Sequence, residues 1–223
     1  VKTITTLIFD FGKVITMPPD ESQFEVMRGL IEAAPRLPGG SSAAPRGSAI
    51  GLEDLVAAYS GDRQEYDRGS YSPAEYWARV GAALGRQVEG LMVERLRAAD
   101  IACWFTFDPE MLALLRSLRT RVRSMALLSN INFDGVEALR ARADWLGLFN
   151  ALVLSCEHRI VKPDPSIYAL CLERLGALPE DCLFVDDTEV NVRAAREAGI
   201  NAHLYRGGAG LEAELGGCYR LSL

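Results

Sequence analysis

The spacing of apolar residues changes character along the chain. Near the start, Leu7, Ile8 and Phe9 form a short apolar run that ends at Asp10; after Phe11, Gly12 and Lys13, Val14 and Ile15 resume it. A short bulky run of this kind predicts a buried strand. From Asp20 the period becomes helical. Asp20 can cap a helix through Phe24, Met27, Leu30 and Ile31, and further helices are expected over Leu52 to Tyr59, Ser72 to Leu84 and Val88 to Ala98. Ser72, Pro73 and Glu75 make a strong helix start, because a serine N-cap and a glutamate three residues on satisfy each other's backbone donors. Ala33 to Ser48 is rich in Pro, Gly, Ser and Ala and has no period, so a flexible loop is expected near 33–48.

The second half alternates. Helices are expected after Asp108-Pro109, over Val136 to Trp145, over Pro165 to Leu175 and from Val190 to Gly199. Strands are expected at Val122 to Leu128, Ala151 to Leu154, Cys182 to Val185 and Ala202 to Tyr205. Alternation of this length predicts an α/β fold, a parallel sheet with helices on both faces. The helices between Asp20 and Ala99 then form an insertion after the first strand. The expected division is an α/β core from 1–17 and 100–223, with a helical cap at 18–99.

Right-handed crossovers bring the C-terminal ends of all the parallel strands to one edge. Asp10, Ser129 and the Asp186-Asp187 pair end strands, and Lys162 follows a fourth strand. Three carboxylates brought together repel one another unless a cation sits among them. Mg²⁺ suits an all-oxygen donor set that keeps several waters and accepts a phosphate. Ser129 and the N–H groups near Asn130 can donate to phosphate oxygens.

Four segments, Ile8-Phe9-Asp10-Phe11-Gly12-Lys13-Val14, Leu127-Leu128-Ser129-Asn130, Val161-Lys162-Pro163-Asp164 and Phe184-Val185-Asp186-Asp187-Thr188-Glu189-Val190-Asn191, resemble the haloacid dehalogenase-like superfamily. They come in that family's order, and the helical insertion resembles its capped phosphatase branch. The resemblance implies a Rossmann-like core and a set of roles. Asp10 would be the nucleophile that forms an aspartyl-phosphate and also a metal ligand. The Gly12 carbonyl and Asp187 would be further Mg²⁺ ligands. Asp186 would act through water or hold Lys162. Ser129, Asn130 and Lys162 would bind the phosphoryl group, and Asn191 would support the loop or be merely a polar helix residue.

One position departs from the pattern. Family phosphatases usually carry an acid two residues after the nucleophile, and here that residue is Gly12. General acid–base help is worth roughly 10²–10⁴-fold, so three explanations stand open. The first is a substrate with a good leaving group, as in a sugar-1-phosphate phosphatase subgroup that this chain resembles in having Gly there. The second is a cap residue or an ordered water in place of the acid, with Glu53, Asp54, Glu65 and Asp67 as candidates. Or the chemistry is lost, leaving a degenerate protein that only binds a ligand. A metal-independent 2-haloacid dehalogenase is a further alternative; its halide-binding arginine would come from the cap, where Arg28, Arg36 and Arg46 stand, but the Asp186-Asp187 pair weighs against it. Lys13, Tyr66 and Tyr71 are candidate specificity residues, the two tyrosines because they flank the turn at Gly69.

Composition narrows the partners. The formal net charge of −6 comes without a basic block, against nucleic-acid binding. No run approaches the roughly 20 apolar residues of a membrane span. The five cysteines form no CxxC pair and no signal peptide is evident, so a cytoplasmic protein is expected. The expected partner is a small phosphorylated molecule, sugar phosphate favoured, and the expected state a monomer or weak homodimer.

Overall fold

A computed structural model describes residues 2–38 and 49–221. The first elements are β1 (Lys2–Ile4) and β2 (Thr6–Phe9), followed by the helices α1 (Glu21–Glu32), α2 (Leu52–Gly61), α3 (Arg63–Asp67), α4 (Pro73–Ala83) and α5 (Leu91–Trp104). Next come α6 (Pro109–Arg119), β3 (Ser124–Ser129), α7 (Phe133–Arg142), β4 (Ala151–Leu154), α8 (Ser155–His158) and α9 (Pro165–Leu175). The chain ends in β5 (Cys182–Asp186), α10 (Glu189–Glu197), β6 (Asn201–Leu204), α11 (Gly208–Gly217) and β7 (Tyr219–Leu221).

The main sheet has five parallel strands in the order β4-β3-β2-β5-β6. The apolar run that opens the chain is its central strand. Successive side chains of a strand point to opposite faces. Leu7 and Phe9 therefore join a cluster with Met111 and Leu115 of α6, whereas Ile8 joins one with Ile167 of α9 and Val192 of α10. With both faces covered, every residue of β2 is buried. The expected α/β class is thus found, with helices on both sides of a parallel sheet.

The inserted helices share a third cluster built around Tyr59, Tyr66, Tyr76 and Trp77. Tyr66 and Tyr76 stack at 4.1 Å with nearly parallel rings. Ser72 and Glu75 form the expected capping box of α4. The insertion is closed at its base. Met17 donates to the Thr106 carbonyl, Asp108 donates to that of Ile15, and Thr16 pairs with Phe107. The boundary expected between 99 and 100 falls inside α5, which continues to Trp104 because Cys103 still packs in the helical cluster. Of the expected flexible loop, residues 33–38 are tied to the α4–α5 connection through Leu37 N–H to Gly85 and Gln87 N–H to Pro35; 39–48 lie outside the described residues. The helix expected to start at Val136 starts at Phe133, because the Asn132 side chain caps it by accepting from Gly135. Among the described residues no helix is long and apolar enough to cross a membrane.

Gly69 sits where the insertion meets the sheet domain. Its φ is +80°, and a Cβ there would lie 2.9 Å from the Phe133 ring and 3.1 Å from the Cys156 carbonyl. Gly69→Ala must accept both a left-handed backbone and an overpacked contact. It is expected to lose about 2–4 kcal/mol of stability, read from the shift in the urea unfolding midpoint.

Candidate active site

β2 and β5 pair in register, Phe9 opposite Val185. Asp10 and Asp186 therefore leave adjacent strand ends side by side, and the next residue, Asp187, joins them. Oxygen atoms of Asp10, Asp186 and Asp187 all lie within 4.8 Å of one another. Lys162 reaches them from the segment after α8. Its ammonium lies 2.7 Å from Asp10 Oδ1 and 2.6 Å from Asp186 Oδ2, with both partners and the lysine itself buried. The Asn130 side chain fixes that segment, donating to the Lys162 carbonyl at 2.9 Å and accepting from its N–H at 2.7 Å.

The carboxylates are not equivalent. Asp186 is fully buried and saturated: Thr188 N–H, the Asn191 amide and Lys162 all donate to it. Asn191 thus ties the start of α10 to the end of β5. Asp187 is partly open, with the Lys13 ammonium 3.5 Å away. Burial pushes the Asp10 carboxyl up to about 7, and the charge of Asp186 pushes the same way while Lys162 opposes both. Burial works against the charge of Lys162, but the two aspartates outweigh it and hold its pKa above the usual lysine value. An additional cation beside Asp10 and Asp187 relieves this crowding, and an all-oxygen donor set of this size fits Mg²⁺.

Asp10, Gly12, Lys13, Asn130, Lys162, Asp187 and Asn191 line a cavity of about 710 Å³, within the ~300–1,000 Å³ range of small-molecule sites. Ser129 ends β3 as expected but is buried and does not line the cavity; its hydroxyl contacts the Asn130 carbonyl at 3.4 Å. Tyr66 and Tyr71 do not line it either. Tyr66 is buried in the helical cluster and donates to Asp134 at 2.5 Å, while Tyr71 lies under the Arg79 guanidinium. Their proximity to Gly69 in sequence put them near the junction, but their rings turn into the insertion. His158 and Cys156 are also absent from the wall, and burial pushes the Cys156 thiol up to about 12.

The opposite wall comes from the insertion and was not legible from spacing. Arg63, Asp67 and Asp100, with Trp104, face the strand ends. The Arg63 Nη1 is 3.0 Å from both oxygens of Asp100, and its Nε lies 3.1 and 3.3 Å from those of Asp67. Asn132 also donates to Asp67, at 3.2 Å. Burial raises the Asp67 pKa, with Asp100 adding to the effect and Arg63 opposing it. Of the four acids considered as substitutes for the missing one, only Asp67 reaches the cavity. Gly12 itself is not imposed by the backbone: its φ is outside the left-handed region, and the nearest atoms to an added Cβ are Trp104 ring carbons at 3.8 and 3.9 Å.

A family model for haloacid dehalogenase-like hydrolases matches residues 4–199. The chain belongs to that family. Among curated relatives, the N-acylneuraminate-9-phosphatase of Rattus norvegicus is 33% identical over 101 residues, 45% of this chain and 40% of that protein. The matched stretches cover between 9% and 40% of the first three curated relatives' own lengths. Two solved structures share the haloacid dehalogenase-like fold. A family enzyme of Bacteroides thetaiotaomicron, solved with magnesium and inorganic phosphate, superposes at a TM-score of 0.71 with 23% identity, covering 92% of this chain and 96% of that one. The L-2-haloacid dehalogenase of Xanthobacter autotrophicus, with chloropropionic acid covalently bound, superposes at 0.64 with 22% identity, covering 97% and 84%. At these identities the likeness is one of fold.

Lys162→Met leaves Asp10 and Asp186 buried without their shared cation. Removing one member of a buried ion cluster costs about 3–5 kcal/mol, and a loss of that size is expected in denaturant unfolding of the metal-free protein at neutral pH.

Proposed function

We propose that the protein is a Mg²⁺-dependent phosphatase of a small phosphorylated metabolite, a sugar phosphate favoured, working through an aspartyl-phosphate on Asp10. The observation that carries this reading is the placement of Asp10 on the cavity wall with Lys162 at 2.7 Å and Asp187 within reach of the same ion. Asp10 and Asp187, with the Gly12 carbonyl, would hold Mg²⁺; Asp186, already saturated, would not coordinate it directly but would hold Lys162. When bound, the ion draws charge off the phosphoryl oxygens.

The protein's own groups supply the rest. A carboxylate oxygen of Asp10 attacks phosphorus in line with the ester oxygen, the ester P–O bond breaks, and the alcohol leaves with a proton from solvent. Water then attacks the phosphorus of the aspartyl-phosphate, releasing phosphate and restoring Asp10. Lys162 favours the ionised form of Asp10 against burial and the charge of Asp186, and balances the charge that develops on the phosphoryl group. The Asn130 N–H would orient that group; Ser129, buried behind the wall, would join it only with its hydroxyl released from the Asn130 carbonyl. Lys13 stands at the rim, where it attracts the incoming anion. The helices from α1 to α5 act as the cap that closes over the leaving group. With Gly12 in place of an acid, the chemistry favours leaving groups that depart without general-acid help.

The competing reading is a metal-independent 2-haloacid dehalogenase, supported by the fold shared with the Xanthobacter enzyme. It leaves Asp187, on the cavity wall within reach of Asp10, without a task. Of the arginines considered for its halide, Arg28 pairs with Glu25 and Glu32, Arg36 bridges to Arg86, and neither lines the cavity; Arg46 lies outside the described residues. A non-catalytic ligand-binding protein is the third reading.

Phosphate and halide release should be measured over a panel of sugar phosphates, other phosphomonoesters and 2-haloacids, with Mg²⁺ and with chelator. Phosphate release that chelator abolishes is expected, and Asp10→Asn should remove it while leaving the unfolding midpoint of the protein near native. Halide release, or turnover indifferent to chelator, overturns the reading. Mg²⁺ is also expected to raise the melting temperature of the native protein, and Asp187→Asn to diminish that rise.

A further inference from the structure

The cap wall of the cavity has a charge balance that bears on which leaving groups it accepts. Among the described residues three cations line the cavity: Lys13, Arg63 and Lys162. Lys162 lies between Asp10 and Asp186, and Lys13 faces Asp187. Both belong to the strand-end side, where the phosphoryl group is expected. Arg63 alone represents positive charge on the cap side, and it is engaged three times, by Asp100 and the Tyr59 hydroxyl through Nη1 and by Asp67 through Nε.

That engagement is built in. Tyr59 donates to Asp100 at 2.6 Å, the Trp104 indole donates to Tyr59 at 2.9 Å, and the Arg63 guanidinium lies 4.9 Å from the Tyr59 ring centre. Asn132, from the loop that starts α7, holds the other carboxylate at 3.2 Å. One guanidinium between two carboxylates leaves the cap wall with acceptor oxygens and without a spare positive charge. A carboxylate or second phosphate on the leaving group would be desolvated beside two carboxylates that one guanidinium already serves, which is costly. Hydroxyl or ammonium groups would find acceptors there.

From this we infer that the Arg63–Asp67–Asp100 cluster is a charge filter on the leaving group: it admits phosphate esters of neutral polyhydroxylated or amine-bearing alcohols and rejects those that carry a further anionic group. The inference rests on the phosphatase reading and narrows it to a class of substrate. It works by penalising the wrong ligand rather than by adding contacts to the right one.

The test compares matched ligands that differ in one carboxylate, glucose 1-phosphate with glucuronic acid 1-phosphate, and glycerol 1-phosphate with 3-phosphoglycerate. Binding to Asp10→Asn protein in Mg²⁺ is measured by calorimetry, and phosphate release by the native protein is measured separately. The neutral member of each pair is expected to bind at least ~10-fold more tightly. Adding Asp67→Asn, which keeps the side chain's shape and releases part of the Arg63 charge, should shrink that ratio severalfold. A ratio within one protein does not depend on how much of it is folded, so a partly destabilised variant still reports. Equal affinity within the pairs, preference for the acidic member, or a ratio that Asp67→Asn leaves unchanged overturns the filter. Absence of phosphate release from every native reaction overturns the phosphatase reading instead, and the binding ratios still decide the filter.

Discussion

The Lys162 ammonium, buried between Asp10 and Asp186, is the contact on which the site depends. Two in-register parallel strands deliver two carboxylates to one point, where burial and the charge of Asp186 both act against the ionised form of Asp10. The lysine makes their proximity tolerable, but only if its own chain segment is pinned, and the reciprocal Asn130 hydrogen bonds do that. Asn191 and the Thr188 N–H complete the shell of Asp186. β2, β3, β5 and the segment after α8 are thereby joined at their ends by polar contacts, as they are joined along their lengths by the ladder and the apolar clusters. Such ion clusters seldom add net stability over apolar packing; what this one provides is a fixed position for the Asp10 carboxyl on the cavity wall.

The sheet side of this arrangement was legible in the sequence because parallel strands announce themselves twice. The strands β2, β3 and β5 are short apolar runs that end at Asp10, Ser129 and Asp186 on the same edge. Asp10, Lys162 and Asp186-Asp187 could be brought together from topology alone. Helix ends were less legible. α7 begins three residues earlier than its apolar period because a cap side chain, not the period, decides where it starts. The α11–β7 end was not anticipated: Gly207, Gly208, Gly210, Gly216 and Gly217 weaken helix propensity, and the helix is held by Leu211 and Leu215 packing on the sheet.

The cap wall shows a different limit. Arg63 and Asp100 are 37 positions apart, on helices whose charged residues resemble any solvated face until packing between α2, α3 and α5 turns them inward. Tyr66 illustrates the reverse. Its place beside Gly69 put it near the cavity, yet its ring stacks on Tyr76 and only its hydroxyl crosses to the sheet domain, at Asp134. Arg97 meets the same carboxylate from α5, and Ser155 accepts from the Ile131 N–H while donating to the Asp67 carbonyl. The cap is thus seated on the loops after β3 and β4, the same loops that hold Asn130 and Asn132. The cap's position and the geometry of the strand-end side share their supports.

Gly12 has a different kind of meaning. Backbone geometry would accept a side chain there, with only the edge of the Trp104 ring as neighbour. The residue is therefore a setting rather than a necessity of the turn. A carboxyl at that point would stand on the cavity wall beside the indole; its absence leaves that space open. Width is gained and a proton source is given up. On the phosphatase reading proposed above, a protein set this way would depend on the acidity of the alcohol it releases, so its preferences should track how readily that alcohol departs as well as its shape.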